Sequence, residues 1–133
     1  MTAPITPMTA RKFVKLLPKI CGQDTSFDPD GWTKENLLWG HCYVVSRLAQ
    51  SLFKGEIVYG SLKGTMFAPL VFHFWNLFPN GKQKDFTRAQ FGQNYPKFPE
   101  IKTANQLFFK DKGTQRRFKL LQERFQAECK RSE

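Results

Sequence analysis

The sequence predicts an α+β domain in which a helix starting at Cys42 packs on a small antiparallel sheet and terminal helices flank both. Three observations carry that expectation. From Cys42 to about Phe53, Val45, Leu48, Ala49 and Leu52 lie opposite Arg47, Gln50, Ser51 and Lys54, the pattern of an amphipathic helix with one wet stripe. Leu70 to Phe78 is a β-rich apolar run that turns at Pro79-Asn80-Gly81 and returns from Lys82 to Thr87. Near the two ends, Phe13, Leu16, Leu17 and Ile20, and then Phe118, Leu121, Phe125 and Cys129, recur at helical spacing.

A chain of 133 residues reads as a single domain, 1–133, large enough for a core without disulfides or a structural metal. Hydrophobic residues make up 41% and aromatics 15%, with 14 Phe, which excludes a disordered chain. No apolar run approaches the roughly 20 residues of a membrane helix. The start Met-Thr-Ala-Pro-Ile-Thr-Pro lacks the basic and apolar segments of a secretory signal, so a soluble, cytoplasmic protein with no membrane partner is expected. Cys21, Cys42 and Cys129 are odd in number and widely spaced, which suits free thiols in a reducing compartment.

The net charge is +10, so a polyanion must be weighed as a partner. Lys110, Lys112, Arg116, Arg117, Lys119, Arg124, Lys130 and Arg131 crowd the last quarter, but Glu123, Glu128 and Glu133 interrupt them. A solvated helix face is favoured over a nucleic-acid surface, because basic charge alone supplies neither a groove reader nor a stacking platform.

In chain order, Thr6-Pro7 reads as an N-cap with proline at the first helical position, and Pro18 as ending or kinking that helix near Leu17. Cys21 to Asp30 is a loop, and Thr33-Lys34-Glu35-Asn36 after Trp32 is a helix-start signal. Gly55 to Gly60 is a short strand, and Ser61 to Pro69 a surface connection. Gly55 to Ser61 is not a phosphate loop, because the Gly-Lys-Ser/Thr ending is absent. Thr114 reads as the N-cap of the last helix.

Cys42 falls in the first turn of its helix, where unsatisfied N–H groups and the macrodipole favour a thiolate; the bland reading is a small buried hydrophobe. The turn decides whether other groups join it. A two-residue Asn80-Gly81 loop would put His73 and Asp85 on opposite faces. Pro79 instead suits the second position of a type I turn and Gly81 the left-handed residue of a G1 bulge, pairing Phe78 with Lys82. Trp75 then faces Asp85, and His73 is its diagonal neighbour on the same face, about 7–8 Å away at the backbone and within side-chain reach. A thiol, an imidazole and a carboxylate in that order form the set that nucleophilic acyl chemistry requires.

These residues also carry a family resemblance. Trp39-Gly40-His41-Cys42-Tyr43-Val44-Val45, Gly55-Glu56-Ile57, His73 through Gly81, Asp85-Phe86-Thr87-Arg88-Ala89-Gln90-Phe91 and, more weakly, Arg117-Phe118-Lys119-Leu120-Leu121 resemble the YunG-like proteins, from about Trp32 to Phe125. The resemblance implies a papain-like or transglutaminase-like core, with the catalytic cysteine, histidine and aspartate at Cys42, His73 and Asp85. The family tends to carry glutamine before the cysteine, a plausible oxyanion donor. His41 stands there and could donate through a ring N–H, with a position and charge that vary with pH, or could be a half-exposed helix-entry residue. The link from Ser61 to Leu70 is also longer than usual.

Asn76 is a candidate for positioning the site, or bonds only to nearby backbone, and Trp39 and Trp75 are candidates for a substrate cleft. A zinc site from Cys21, Cys42, Cys129, His41 and His73 lacks ligand spacing, so no metal or organic cofactor is expected. The expected function is a cysteine-dependent hydrolase or acyl transferase acting on an acyl or protein substrate. The alternative is a non-catalytic basic module that binds nucleic acid or protein on the same fold.

Overall fold

The computed structural model describes residues 7–131. Among these, three α-helices, α1 (Ala10–Ile20), α2 (Cys42–Phe53) and α3 (Lys112–Arg131), enclose an antiparallel sheet. Its strands are β1 (Glu56–Ser61), β2 (Phe72–Leu77), β3 (Gln83–Lys84) and β4 (Lys102–Thr103), in the order β3-β2-β1-β4. The α+β class and the packing of the Cys42 helix against the sheet are as expected.

The main core lies between the helices. Phe13, with no exposed surface, meets Phe53, Phe86 and Phe125 edge-on, and Val45, Leu48 and Leu121 fill the space around them. Phe118, Leu121, Phe125 and Cys129 all face this core, which is the reading their spacing supports.

Several local expectations are corrected. Thr6 lies outside the described residues, and α1 is capped by Thr9, whose Oγ1 accepts from Lys12 N at 3.1 Å. Pro18 does not end α1. It sits in the last turn, where the N–H it lacks would have bonded only the carbonyl of exposed Val14, and the ladder resumes with Cys21 N to Leu17 O at 3.0 Å. No helix opens at Thr33; Asn36 N bonds Thr33 O in a turn, and the Asn36 side chain is drawn off to Gln90 O. The cap of α3 is Asp111, whose Oδ2 accepts from Thr114 N at 2.8 Å.

The connection after β1 is only partly at the surface, because Leu62, Phe67 and Leu70 are buried with Phe91 in a second core cluster. The return strand is also shorter than read. β3 stops at Lys84; Asp85 and Thr87 then form a side-chain turn, and Phe86 leaves the sheet for the main core. Strand β4, which pairs Thr103 with Val58 on the far edge, has no signature in the sequence.

The hairpin follows the proline argument. Gly81 N bonds Phe78 O and Phe78 N bonds Lys82 O at 2.8 Å, Gly81 has φ 87°, and the ladder pairs Leu77 with Gln83 and Asn76 with Lys84. Only glycine takes that φ without strain.

Candidate active site

Side chains alternate across β2, so Phe72, Phe74 and Asn76 face α2 while His73 and Trp75 face the other side. Phe91, Tyr95 and Phe98, from the segment after β3, close over His73 on that side. Cys42 comes around the strand edge. Leu62 N bonds Val71 O, so the Phe72 carbonyl points away from β1, and β3 has already ended there. The Cys42 Sγ–H donates to that carbonyl at 3.6 Å.

The route of the chain into Cys42 is held tightly. Gly40 has φ 78°, and a Cβ there would stand 2.2 Å from Ser26 Oγ, so only glycine passes. Phe27 N bonds Gly40 O, and Ser26 Oγ donates to Trp39 O at 2.7 Å. His41 precedes the helix without capping it by a side chain, and the first N–H to find a helical acceptor is that of Val45, on His41 O. The N–H groups of Cys42, Tyr43 and Val44 therefore point out of the helix start.

His73 is fully buried, and its Nε2 lies 2.6 Å from Asp85 Oδ2. Its other ring nitrogen, Nδ1, is buried and has no hydrogen-bond partner of good geometry among the described residues. Burial disfavours charge on the ring. The Asp85 hydrogen bond, the Cys42 sulfur beside it and the charges of both more than offset that, and push the pKa up to about 9. Trp75 stacks on the imidazole at 5.5 Å and donates its indole N–H to Gln83 Oε1.

Asp85 has further partners. The Tyr95 hydroxyl donates to Oδ2 at 2.7 Å and Thr87 N to Oδ1 at 3.1 Å. Burial alone would raise its pKa, but the His73 bond and charge, then Tyr95 and Thr87, hold the carboxyl below its ordinary value. Gln90 extends the network. Its Nε2 donates to Thr87 Oγ1 at 3.0 Å and its Oε1 accepts from Gly40 N at 3.1 Å, tying the Asp85 turn to the residue two before Cys42. Tyr95, Thr87 and Gln90 were not legible as site residues; no periodicity or spacing distinguishes them.

Three expectations do not survive the geometry. His41 is not half-exposed but has no exposed surface, and both ring nitrogens are engaged. The Trp39 carbonyl can only accept, so Nδ1 carries the proton, and Nε2 accepts from Thr25 Oγ1 at 2.7 Å. Burial, against the smaller effects of its backbone bonds, pulls its pKa down to about 4, so its charge does not change near neutrality and no ring N–H is left for an oxyanion. Asn76 donates to Ser46 O at 2.9 Å on the α2 face, pinning helix to strand rather than positioning His73.

Neither tryptophan lines a cleft at the cysteine. Trp39 donates to Asp28 Oδ2 and packs on Phe67, while Trp75 is buried under Phe98. The cavity at Cys42 instead has Phe27, Val71, Phe72, Phe74, Leu107 and Phe108 among its walls.

No curated protein and no solved structure matches the chain. A family model described as "YunG protein" matches residues 9–130, which takes in α1, the whole sheet, Cys42, His73 and Asp85, and nearly all of α3. The chain belongs to the YunG family.

Proposed function

We propose that this protein is a cysteine-dependent hydrolase or acyl transferase with a papain-like or transglutaminase-like core, acting on an amide, isopeptide or thioester. One observation carries the reading: Asp85 occupies Nε2 of His73, Nδ1 is buried with no partner among the described residues, and the Cys42 sulfur acts on the same ring. An unbonded buried polar atom costs about 1–3 kcal/mol, a cost that Nδ1 shares with Asn76 Oδ1, but only at His73 does a thiol act on the same side chain.

The chemistry follows from those positions. The Cys42 sulfur, as thiolate beside the His73 imidazolium, attacks the acyl carbon; the C–S bond forms and the carbonyl electron pair moves to oxygen. The N–H groups at the start of α2 are the donors available to that oxyanion, in the role that His41 cannot fill. On collapse the bond to the leaving group breaks, and His73 Nδ1–H protonates the departing nitrogen or sulfur. Water or an amine then attacks the thioester, giving hydrolysis or transfer. Asp85 holds the ring and stabilises its charge throughout.

Labelling with a panel of electrophilic acyl probes tests this. Adduct on Cys42 that is lost in His73→Ala protein is expected. Equal labelling of Cys21, Cys42 and Cys129 overturns the assignment.

A further inference from the structure

The cavity at Cys42 has a volume of 280 Å³. Its rim is unusually apolar for a surface: Phe27, Val71 and Leu107 are 51%, 48% and 64% exposed, and they are half of the six large hydrophobics left exposed among the described residues. Val71 is held there at φ 67°, ψ −61°, a γ-turn geometry that is rare and strained for a β-branched residue. Exposed apolar surface gathered around one concavity marks a binding site rather than scatter.

One wall is polar. Helix α3 places Thr114 and Arg117 in the cavity lining, with Asp111 at its cap. Asp111 is already spent: Oδ2 accepts Thr114 N and Oδ1 accepts Thr114 Oγ1 at 2.6 Å. Arg117, half-buried with its guanidinium 5.6 Å from the Phe27 ring, makes a single hydrogen bond, from Nη2 to Thr114 Oγ1 at 2.9 Å. Among the described residues it has no carboxylate within ion-pair distance, unlike Arg124 on the same helix, which grips Asp24 at 2.6 Å. Burial lowers the Arg117 pKa and the charge of Asp111, which also borders the cavity, counters that only in part, so this cation has given up water for a nearby carboxylate that does not reach it as an ion pair. A planar fork with open N–H donors, at the edge of an apolar cavity, is suited to a carboxylate bound by two parallel hydrogen bonds.

We propose that the cavity takes the leaving-group part of an N-acylated substrate: an apolar amino acid whose nitrogen carries the acyl group until Cys42 attacks and whose free carboxylate is bound by Arg117. This rests on the reading of Cys42 as nucleophile. Attack at the acyl carbon forms the C–S bond and breaks the C–N bond; His73 protonates the nitrogen, the amino acid leaves from the cavity, and water hydrolyses the thioester. An N-acyl amino acid and the last residue of a peptide share this chemistry.

Equilibrium binding to Cys42→Ala protein separates the pocket from the chemistry. N-acetylphenylalanine is expected to bind about tenfold more tightly than N-acetylphenylalaninamide, a preference worth one charge-assisted pair. Arg117→Gln is expected to abolish the preference, and Arg117→Lys to retain part of it. A short peptide ending in phenylalanine that shows the same acid-over-amide preference places the site at peptide termini; preference for the acetylated amino acid alone places it with small N-acyl amino acids. Equal binding of acid and amide, or a preference that persists in Arg117→Gln, overturns the proposal. If the preference holds but wild-type Cys42 takes no acyl probe, the catalytic reading is at fault and not the pocket.

Discussion

His73 Nε2 lies 2.6 Å from Asp85 Oδ2 because Pro79 and Gly81 set the hairpin between them. The Phe78–Lys82 pairing, one residue out of register from the Phe78–Gln83 pairing that a bare Asn80-Gly81 loop would give, keeps both side chains on one face. Insertion of one residue in this turn is expected to abolish Cys42 reactivity toward acyl probes while circular dichroism still reports a folded protein; retained labelling would separate reactivity from the pair.

Cys42 and Cys21 are both buried, but Cys42 lines a cavity, whereas the Cys21 thiol is pushed up to about 12 by desolvation, with Arg124 opposing weakly. Iodoacetamide at neutral pH is therefore expected to modify Cys42 at least about tenfold faster than Cys21 or Cys129, and His73→Ala to remove most of the difference. Peptide mapping after timed alkylation reads this directly.

The His73 pair makes stability depend on pH. Its pKa is raised from 6.5 to about 9 in the folded state, so the stabilisation is fully present below about pH 6.5 and is lost as pH rises through about 9. The full shift corresponds to something on the order of 3 kcal/mol. Urea unfolding at pH 6 and pH 9.5 is expected to show that loss in the wild type and a much smaller one in Asp85→Asn.

Tyr95 acts on the site through Asp85. Tyr95→Phe removes one of the bonds that lower the Asp85 pKa, costing about 1–2 kcal/mol. The carboxylate contribution is present above pH 3.8 and fades as pH falls through the lower folded value, so the acid-unfolding midpoint of Tyr95→Phe is expected to move to higher pH. An unchanged midpoint would mean that Tyr95 merely packs.

The basic helix offers fewer free cations than its composition suggests. Arg124 is paired with Asp24 and with Ile20 O, and Arg131 meets Glu128. A fluorescent oligonucleotide is expected to bind weakly, without sequence preference, and to be released as salt rises. Tight binding that resists salt would favour the non-catalytic binding module.

Sequence alone determined the features that rest on short-range chemistry. The period of α2, with Cys42 in its first turn, follows from the 3.6-residue repeat, and the hairpin register from the fixed φ of Pro79 and the left-handed φ of Gly81. The cap of α1 is Thr9, three residues beyond the Thr6 that the sequence suggested, a shift of about one turn that periodicity cannot detect. Tertiary structure alone decided what touches the site. His41 looks like an available donor until Thr25, 16 residues away, takes its Nε2. Gln90 reaches Gly40 across 50 residues of chain, and Arg117 joins the Cys42 cavity only because α3 folds back over α2. Such contacts depend on how whole elements pack, and packing is set by the summed burial of many side chains rather than by any local pattern.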